Sequence, residues 1–293
     1  MYQVLFNPLS GNGKGKEMAQ KIESLISGEE IVYNDVTTLN GYAKFLSELN
    51  PEDKPILVGG DGTLNKFIND FNPAEYPGTI YYYAAGSGND FMSDIKDDAK
   101  YLNDKRDENG NGIADITEYV ACLPTVTIKG KDYKFINGIG YGIDGYCCEV
   151  GDELRKTTTK PINYAGIAIK GLLFHYKPTN ATVTVDGKTE TLKKVWLCPV
   201  MNGRYYGGGM IATPNQDRKN SDHTLSSMAF VGSGRLKTLM IFPSIFKGEH
   251  IAHTDIVKTF SGHTITVAFD RPVSAQVDGE TILNVSEITA SYK

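Results

Sequence analysis

Val58-Gly59-Gly60-Asp61-Gly62-Thr63-Leu64-Asn65 is the most informative stretch of this chain. A short apolar run, residues 56–58, precedes it and is typical of a buried parallel strand, while apolar residues recur at helical spacing from Leu64 to Phe71. The glycines let backbone N–H groups approach an anion, and the positive end of a helix dipole favours negative charge there. The pattern predicts a strand, a phosphate-binding turn and a helix, although Asp61 would also suit a simple helix cap.

Length and composition set the broad class. A chain of 293 residues favours two domains, and we expect them to span residues 1–122 and 123–293. The formal net charge of −5 argues against nucleic-acid binding and gives no general attraction to anionic membranes. The four cysteines lack C-x-x-C spacing, Met1 leads directly into an apolar strand pattern, and no apolar run approaches the ~20 residues that span a bilayer. We therefore expect a cytoplasmic protein.

Strand and helix patterns alternate through the first third of the chain. This order predicts an N-terminal α/β domain built from βαβ units around a parallel sheet. Ligands of such sheets bind beyond the carboxyl ends of the strands, where the glycine-rich loops would meet. The predicted strands are Val4–Phe6, Ile31–Tyr33, Ile56–Val58 and Thr79–Ala84.

The residue pattern changes near Leu123, where β-branched and aromatic residues begin to alternate with polar ones. This alternation predicts a C-terminal antiparallel β-sandwich domain. Two apolar stretches with helical spacing, Ile162–Phe174 and Leu236–Phe246, indicate helices inserted into that domain.

Further polar, glycine-rich turns follow other predicted strands. Asn7-Pro8-Leu9-Ser10-Gly11-Asn12-Gly13-Lys14-Gly15 comes after the first strand and has the composition of a phosphate-binding loop, but its spacing excludes a Walker A loop. A flexible strand-to-helix connection is the alternative there. Ala85-Gly86-Ser87-Gly88-Asn89-Asp90-Phe91 makes a similar turn after the fourth strand.

Two acidic segments lie in the second half. Val277-Asp278-Gly279-Glu280 has the Asp-Gly pair of a common hairpin turn, yet a carboxylate held there could also take the proton of a hydroxyl that attacks phosphorus. The polar run from Thr213 to Asp222 carries carboxylates that could hold a hard cation together with backbone carbonyls.

In their order along the chain, these motifs resemble the diacylglycerol kinase catalytic family, bacterial lipid kinases of the NAD kinase/diacylglycerol kinase-like fold. The resemblance covers nearly the whole chain. It rests on the Asn-Pro-x-Ser-Gly opening at Asn7, the Gly-Gly-Asp-Gly-Thr-Leu-Asn core, the turn at Gly86, the Phe135–Asp144 region, and the motifs Tyr206–Gly209, Gly248–His250 and Asp278–Glu280.

The resemblance implies an ATP- and Mg²⁺-dependent kinase with defined site residues. Asp61 would act through magnesium, Glu280 would be the general base for the lipid hydroxyl, and Asp278 would be its neighbour in the catalytic set. A structural magnesium ion would be held by Asp222 and by the carbonyl groups of Lys219 and Thr224. The implied ATP contacts are Asn7, Pro8, Leu9, Ser10, Gly11, Thr37, Gly60, Asp61, Gly62, Thr63, Leu64, Asn65, Lys66 and Ser87.

Three positions depart from the family pattern. Lys66 stands where the family usually has Glu, and Ser87 replaces the usual Thr, so both change the surroundings of the implied nucleotide. His223 replaces the glycine after Asp222, at a point where a positive φ would be needed.

Two other patterns match known motifs in part. Residues 107–118 fit the EF-hand spacing of oxygen ligands, but the sequence after Asp115 looks like a strand, so we expect an ordinary loop without calcium. Gly140-x-Gly142-x-x-Gly145 matches the dinucleotide fingerprint but lies outside any βαβ unit, which argues against a dinucleotide site.

The sequence therefore favours a lipid kinase that transfers the γ-phosphoryl group of ATP to diacylglycerol or a related lipid during transient contact with a membrane surface. Two alternatives remain at this point. A soluble-substrate kinase such as an NAD kinase would be indifferent to vesicles, and a catalytically weak nucleotide- or lipid-binding regulator would show little turnover. A homodimer stays open.

Overall fold

The computed structural model describes residues 1–85, 88–158, 160 and 162–293. The chain divides into two compact units, Met1–Leu123 and Pro124–Lys293. In these described ranges, no helix is both long enough and apolar enough to cross a bilayer.

The first unit is built on a mostly parallel sheet with the strand order β2-β1-β3-β4-β5. Val4 of β1 lies between Tyr33 of β2 and Ile56 of β3 in parallel register, and only β5 runs antiparallel to its neighbour β4. Strands β1, β3 and β4 are mostly apolar and buried, as is typical of a parallel sheet covered on both faces, whereas the edge strand β2 is half-buried. The strands are β1 Tyr2–Phe6, β2 Ile31–Asp35, β3 Lys54–Gly59, β4 Tyr81–Ala84 and β5 Ile113–Asp115.

The helices of the first unit are short, and several follow a strand directly. Strand β2 lies on one side of β1, whereas β3 and β4 follow on the other side, so the order in which strands are added reverses between β1 and β3. In sheets of this kind, ligands bind at the carboxyl ends of the two strands where this reversal occurs. The helices are α1 Ser10–Gly13, α2 Gly15–Gln20, α3 Tyr42–Ser47, α4 Asp61–Asp70, α5 Asp90–Ile95 and α6 Thr117–Val120, with 3₁₀ turns at Lys21–Ser24 and Pro73–Glu75.

The second unit is an antiparallel sheet structure with the order β15-β14-β11-β8-β16-β17-β6-β7, in which β9 pairs with β16 and β10. Alternate residues such as Ile139, Val183 and Val267 enclose a core of fully buried side chains. The strands are β6 Thr125–Ile128, β7 Lys131–Lys134, β8 Gly138–Tyr141, β9 Thr179–Val185, β10 Lys188–Val195, β11 Val200–Met201, β12 Tyr205–Tyr206, β13 Met210–Ile211, β14 Leu225–Phe230, β15 Val257–Gly262, β16 Thr264–Val277 and β17 Glu280–Ser291.

Helices interrupt this β structure, as the sequence predicts for two of them. These two are α8 Tyr164–Lys170, continued by a π turn at Gly171–His175, and α9 Arg235–Ile241, continued by a 3₁₀ turn at Phe242–Lys247; a further 3₁₀ turn spans Glu249–Ala252. The sequence analysis missed helix α7, Ile143–Arg155. The predicted fold class, a parallel α/β domain followed by an antiparallel β domain with inserted helices, is confirmed.

Candidate functional site

The turn between β3 and α4 is shaped by close contact with the segment before α5. A Cβ atom on Gly59 would lie 2.3 Å from Thr63 Oγ1, and one on Gly60 would lie 2.7 Å from the Gly88 carbonyl oxygen. The Asp61 backbone N–H donates to that same carbonyl at 3.3 Å. Glycine is therefore required at both positions: a side chain on Gly59 would collide with Thr63 of α4, and one on Gly60 would separate the two loops.

The Asp61 carboxylate joins the same two loops. Its Oδ2 accepts the backbone N–H of Asp90 at 2.7 Å, and its Oδ1 accepts that of Phe91 at 3.3 Å. Asp61 thus caps helix α5 rather than its own helix. Magnesium is usually bound through one or two carboxylates together with substrate phosphates, and this half-exposed carboxylate at the carboxyl end of β3 suits that role.

The loop after β1 is held by Asn7. Asn7 Oδ1 accepts the Leu9 backbone N–H at 2.9 Å, and the Asn7 carbonyl accepts the Ser10 N–H at 3.0 Å. A Cβ on Gly15 would lie 1.9 Å from the Asn7 carbonyl oxygen, so helix α2 can approach the loop only because this residue is glycine. Leu9 is left 74% exposed at the loop tip, with Ser10 beginning α1.

The remaining predicted nucleotide contacts differ in burial and therefore in whether their side chains can reach a ligand. Leu64 is fully buried, so it can contribute only its backbone, and Thr63 and Asn65 are also buried. Lys66 is exposed on α4. Thr37 is exposed after β2, where its N–H and hydroxyl both donate to Asp35 Oδ1, at 2.8 Å and 2.7 Å.

The loops after β1, β2 and β3 thus lie at one edge of the parallel sheet. Ser87 is outside the described residues. The predicted contacts present at this edge are Asn7, Pro8, Leu9, Ser10, Gly11, Thr37, Gly60, Asp61, Gly62, Thr63, Leu64, Asn65 and Lys66.

In the second unit, the Asp-Gly pair makes the hairpin that joins β16 to β17. Asp278 and Gly279 have φ values of 46° and 95°, which is the backbone of a primed two-residue turn. The buried Asp278 carboxylate accepts three backbone N–H groups: Oδ2 from Ile136 at 2.6 Å, and Oδ1 from Asn137 at 2.9 Å and Gly138 at 3.0 Å. This geometry favours a structural role for Asp278, because its lone pairs are already engaged.

Glu280 is the exposed carboxylate of this hairpin. Its position is set by neighbours on both sides: the Gly279 N–H donates to Gln276 Oε1 at 2.6 Å, and the Thr281 hydroxyl donates to Asp152 Oδ2 of α7, also at 2.6 Å. Burial raises the pKa of the Cys148 thiol on the same helix to about 12, and the charge of Glu280 contributes to that rise. The hairpin thus presents a carboxylate beside α7.

One of the three predicted structural magnesium ligands, the Thr224 carbonyl, is engaged by side-chain amides. The Thr224 carbonyl accepts Gln216 Nε2 at 2.9 Å and Asn220 Nδ2 at 3.1 Å. The orientation of the Asn220 amide is fixed because its Oδ1 accepts the Thr224 N–H at 2.7 Å. Two amide donors therefore point at the oxygen that a cation would need.

Other features of this loop bear on the same prediction. Asp222 is exposed, as is His223, which has a φ of 53°. A positive φ at the position of the family's glycine agrees with the constraint inferred from sequence.

Sequence reasoning missed two polar contacts beside the hairpin. Arg218 donates to the Ile136 carbonyl at 3.0 Å and to Asn137 Oδ1 at 3.2 Å, so it holds the segment whose N–H groups Asp278 binds. The buried Asp144 accepts the Tyr206 hydroxyl at 2.5 Å, and burial raises the pKa of Asp144 to about 7. Asp144 and Tyr206 both belong to the family motifs, but they are 62 residues apart and no local pattern predicts that they form a pair.

The EF-hand-like segment adopts a different turn. An EF-hand has its glycine turn at the sixth position, whereas the positive φ, 81°, lies here at Gly110, the fourth. Asp107 Oδ1 accepts the N–H groups of Asn109 and Asn111, each at 2.8 Å, and Oδ2 accepts the Tyr83 hydroxyl at 2.7 Å. The expected strand after Asp115 is wrong, since helix α6 follows it, but the turn favours an ordinary loop.

The glycines of the dinucleotide-like pattern serve helix packing. Gly142 begins α7 with a φ of 106°, and a Cβ on Gly145 would lie 1.7 Å from the Ser274 carbonyl oxygen. Gly140 gives space to the Gln276 side chain. These glycines allow α7 to pack against β16, which is part of an antiparallel sheet. Their presence is therefore explained by packing, and no dinucleotide site is needed to explain it.

Comparison with known proteins gives a consistent assignment. The YegS C-terminal NAD kinase beta sandwich-like domain matches residues 137–290, more than half of the chain, and the diacylglycerol kinase catalytic domain matches residues 1–107. A diacylglycerol kinase of Mycobacterium tuberculosis (strain H37Rv) is 26% identical over 274 residues, covering 90% of this chain and 84% of the relative.

Solved structures from Bacillus anthracis str. Sterne, one of them described as that of a diacylglycerol kinase, share the fold. Their TM-scores are 0.57 to 0.64 at 17% to 18% identity, covering 99% of this chain and 92% to 94% of theirs. Taken with the two domain matches, these findings show that the chain belongs to the diacylglycerol kinase family of lipid kinases and is a phosphotransferase.

Proposed function

We propose that this protein transfers the γ-phosphoryl group of ATP to the hydroxyl of diacylglycerol or a closely related lipid. The proposal rests on the different environments of the two carboxylates in the Asp-Gly-Glu hairpin. Asp278 is engaged by three backbone N–H groups, whereas Glu280 is exposed on a hairpin whose backbone is fixed. A general base must come within hydrogen-bond reach of the hydroxyl proton, and an accessible carboxylate on a fixed backbone leaves that contact open.

In this proposal the Glu280 carboxylate takes the proton of the lipid hydroxyl. The hydroxyl oxygen forms a bond to the γ-phosphorus, the bond from that phosphorus to the β–γ bridging oxygen breaks, and ADP leaves. The loops after β1 and β3 would hold the nucleotide phosphates through backbone N–H groups and the positive end of α4. Asp61 would hold a magnesium ion, which neutralises charge on the phosphates when bound.

A substrate screen tests the proposal. The purified protein is incubated with labelled ATP, magnesium and one acceptor at a time: diacylglycerol in mixed micelles, NAD, or short water-soluble alcohols. We expect labelled phosphatidic acid and no labelled NADP. A full rate on NAD or a soluble alcohol without micelles would contradict the lipid assignment and favour a soluble-substrate kinase.

The Asp61→Asn variant tests the role of the first unit in the same assay. The substitution nearly preserves shape but removes the negative charge that would hold magnesium, so we expect at least about a 100-fold loss of turnover. Asp97→Asn, an exposed aspartate in the same unit, is the matched control and should turn over like the parent. Undiminished turnover in Asp61→Asn would refute this role.

A further inference from the structure

Two helical segments of the second unit expose large apolar side chains. Phe174, Leu236 and Met240 are 70%, 71% and 74% exposed, and Ile169 and Phe246 are about half exposed. Neighbouring residues in the same segments are fully buried, so each segment is anchored in the core while its outer side stays apolar. Large apolar side chains grouped on a surface mark an interaction site.

The two segments form one continuous surface. Helix α9 packs against the π turn at Gly171–His175 and against the 3₁₀ turn at Phe242–Lys247. The Arg235 side chain donates to the Leu172 carbonyl at 2.6 Å and lies over the Trp196 ring, which fixes α9 beside the turn that carries Phe174. Leu236 and Met240 are one helical turn apart, on the same side of α9.

The charge of this surface is opposite to that of the whole chain. The net charge of the chain is −5, yet no Asp or Glu occurs between Glu153 and Asp186 or between Asp222 and Glu249. Three basic residues of these stretches form ion pairs with acidic residues outside them: Lys237 pairs with Asp255, Lys156 with Glu153 and Arg155 with Asp152. The basic residues of the two acid-free stretches are Arg155, Lys156, Lys160, Lys170, Lys177, Arg235, Lys237 and Lys247.

We propose that this apolar–basic face, formed by Ile169, Lys170, Phe174, Leu236, Met240 and Lys247, is the surface by which the protein docks on an anionic lipid bilayer. The inference rests on the proposed function and deepens it, because it names the part of the chain that reaches the membrane. Apolar side chains would enter the boundary between head groups and acyl chains, with the lysines at the level of the phosphates.

Binding to an anionic bilayer depends on the charge of the docked face rather than on the net charge of the whole chain. Attraction to an anionic leaflet falls off within a Debye length of about 10 Å, so acidic residues farther than that from the face contribute little. Asp255 is close enough to offset Lys237, with which it pairs, so the proposed docking relies on Lys170 and Lys247. Each lysine near such a surface adds about 1 kcal/mol, which corresponds to about a fivefold change in affinity. The combination of a few apolar side chains and a few lysines gives reversible association rather than permanent anchoring.

Sedimentation of the protein with sucrose-loaded vesicles tests the proposal without ATP or turnover. Vesicles of phosphatidylcholine alone are compared with vesicles that also contain phosphatidylglycerol. We expect the parent protein to pellet with the anionic vesicles only. The Leu236→Ser/Met240→Ser variant should lose at least about tenfold in affinity, and the Lys170→Glu/Lys247→Glu variant should lose more than about 25-fold.

Matched controls are available in the same unit. Leu283→Ser removes an exposed leucine on β17, and Lys188→Glu reverses an exposed lysine at the start of β10; both should bind like the parent. Circular dichroism melting checks that each variant is folded. If the double serine variant does not fold, Phe174→Ser, which removes a 70% exposed side chain, takes its place.

Three results would overturn the proposal. The first is equal binding to both kinds of vesicle, and the second is binding that none of the face variants weakens. The third is a parent protein that is dimeric in analytical ultracentrifugation and becomes monomeric in Leu236→Ser/Met240→Ser, which would make this face a contact between two copies.

The docking surface and the proposed function fail in different ways. If the parent protein pellets with anionic vesicles as expected but phosphorylates no lipid, only the proposed function is wrong. If it phosphorylates a short-chain diacylglycerol dispersed in detergent but pellets with no vesicles, only the docking surface is wrong.

Discussion

At the scale of single residues, two carboxylates two positions apart have opposite environments. Asp278 is buried and accepts three backbone N–H groups, and Glu280 is exposed. The family resemblance made Glu280 the general base and Asp278 its neighbour, but the sequence could not show that Asp278 is structural, because the N–H donors lie about 140 residues earlier in the chain. The burial of Asp278 and the contacts of residues 136–138 separate them in three dimensions.

Asp278→Asn should therefore destabilise the fold. An amide has one acceptor oxygen and is uncharged, so it cannot satisfy all three buried N–H groups, and we expect a loss on the order of 3 kcal/mol in the free energy of unfolding. Urea denaturation measures it. The control is Asp186→Asn, in an Asp-Gly turn of the same backbone type whose carboxylate is 43% exposed and which should lose less than about 1 kcal/mol. Equal losses would contradict a structural role specific to Asp278.

The Asp144–Tyr206 pair predicts a pH dependence of stability. Burial raises the pKa of Asp144 to about 7, while the hydrogen bond from Tyr206 acts in the opposite direction. Because an unfolded aspartate has a pKa of about 3.9, the folded chain binds the extra proton between about pH 4 and about pH 7. This contribution to stability is fully present below about pH 4 and is lost as the pH rises through about 7.

Asp144→Asn removes this titration and keeps an oxygen acceptor for the Tyr206 hydroxyl. Relative to the parent, the variant should gain about 2–3 kcal/mol in the free energy of unfolding between about pH 5 and about pH 8. Denaturation of both proteins at several pH values measures the difference, because the other titrating groups contribute equally to each. A difference that stays constant with pH would show that Asp144 is ionised in the fold over this whole range.

At the scale of secondary-structure elements, the glycine-rich turns were predicted and helix α7 was missed. The turns follow apolar runs directly, and their glycines are required by close contacts such as that of Gly15 with the Asn7 carbonyl. The apolar residues Ile143, Cys147 and Val150 of α7 do recur at helical spacing, but the segment also contains Gly145 and Gly151 and lies among strand patterns, so the signal was overlooked. Its start is set by Gly142 and by packing on β16, which are tertiary features.

The loop between β13 and β14 shows a second limit of sequence reasoning. The residues predicted to hold a structural magnesium ion are present, but the Gln216 and Asn220 amides occupy the Thr224 carbonyl. Gln216 is buried, also donates to the Asn202 carbonyl at 3.3 Å, and accepts the Ser226 hydroxyl at 2.5 Å. Hydrogen bonds between side chains and backbone therefore hold this loop together.

Stability of this loop should accordingly depend on Gln216 and not on magnesium. Gln216→Ala leaves buried carbonyl groups unpaired, and we expect a loss of about 2–3 kcal/mol in the free energy of unfolding. Asn215→Ala, at the exposed neighbouring position, is the control. The melting temperature of the nucleotide-free parent should be the same in magnesium and in EDTA. A magnesium-dependent rise that disappears in Asp222→Ala would restore the structural metal site.

At the scale of the whole molecule, two units of different architecture carry different parts of the proposed chemistry. The parallel sheet of the first unit gathers loops suited to phosphates at the carboxyl ends of β1 and β3. The second unit supplies the Asp-Gly-Glu hairpin and the apolar–basic face. The order of motifs along the sequence was sufficient to predict both folds, whereas the local positive charge of the face is hidden by a net charge of −5.

The turnover number of Glu280→Gln on a diacylglycerol substrate shows whether Glu280 is the general base. Loss of a positioned base should lower turnover by about 10²- to 10⁴-fold, while the affinity for ATP, measured by calorimetry, stays within about twofold of the parent. Glu287→Gln, at an exposed position on the same strand, should behave like the parent. A Glu280→Gln variant that keeps turnover within a few-fold of the parent would contradict the assignment of Glu280 as the base.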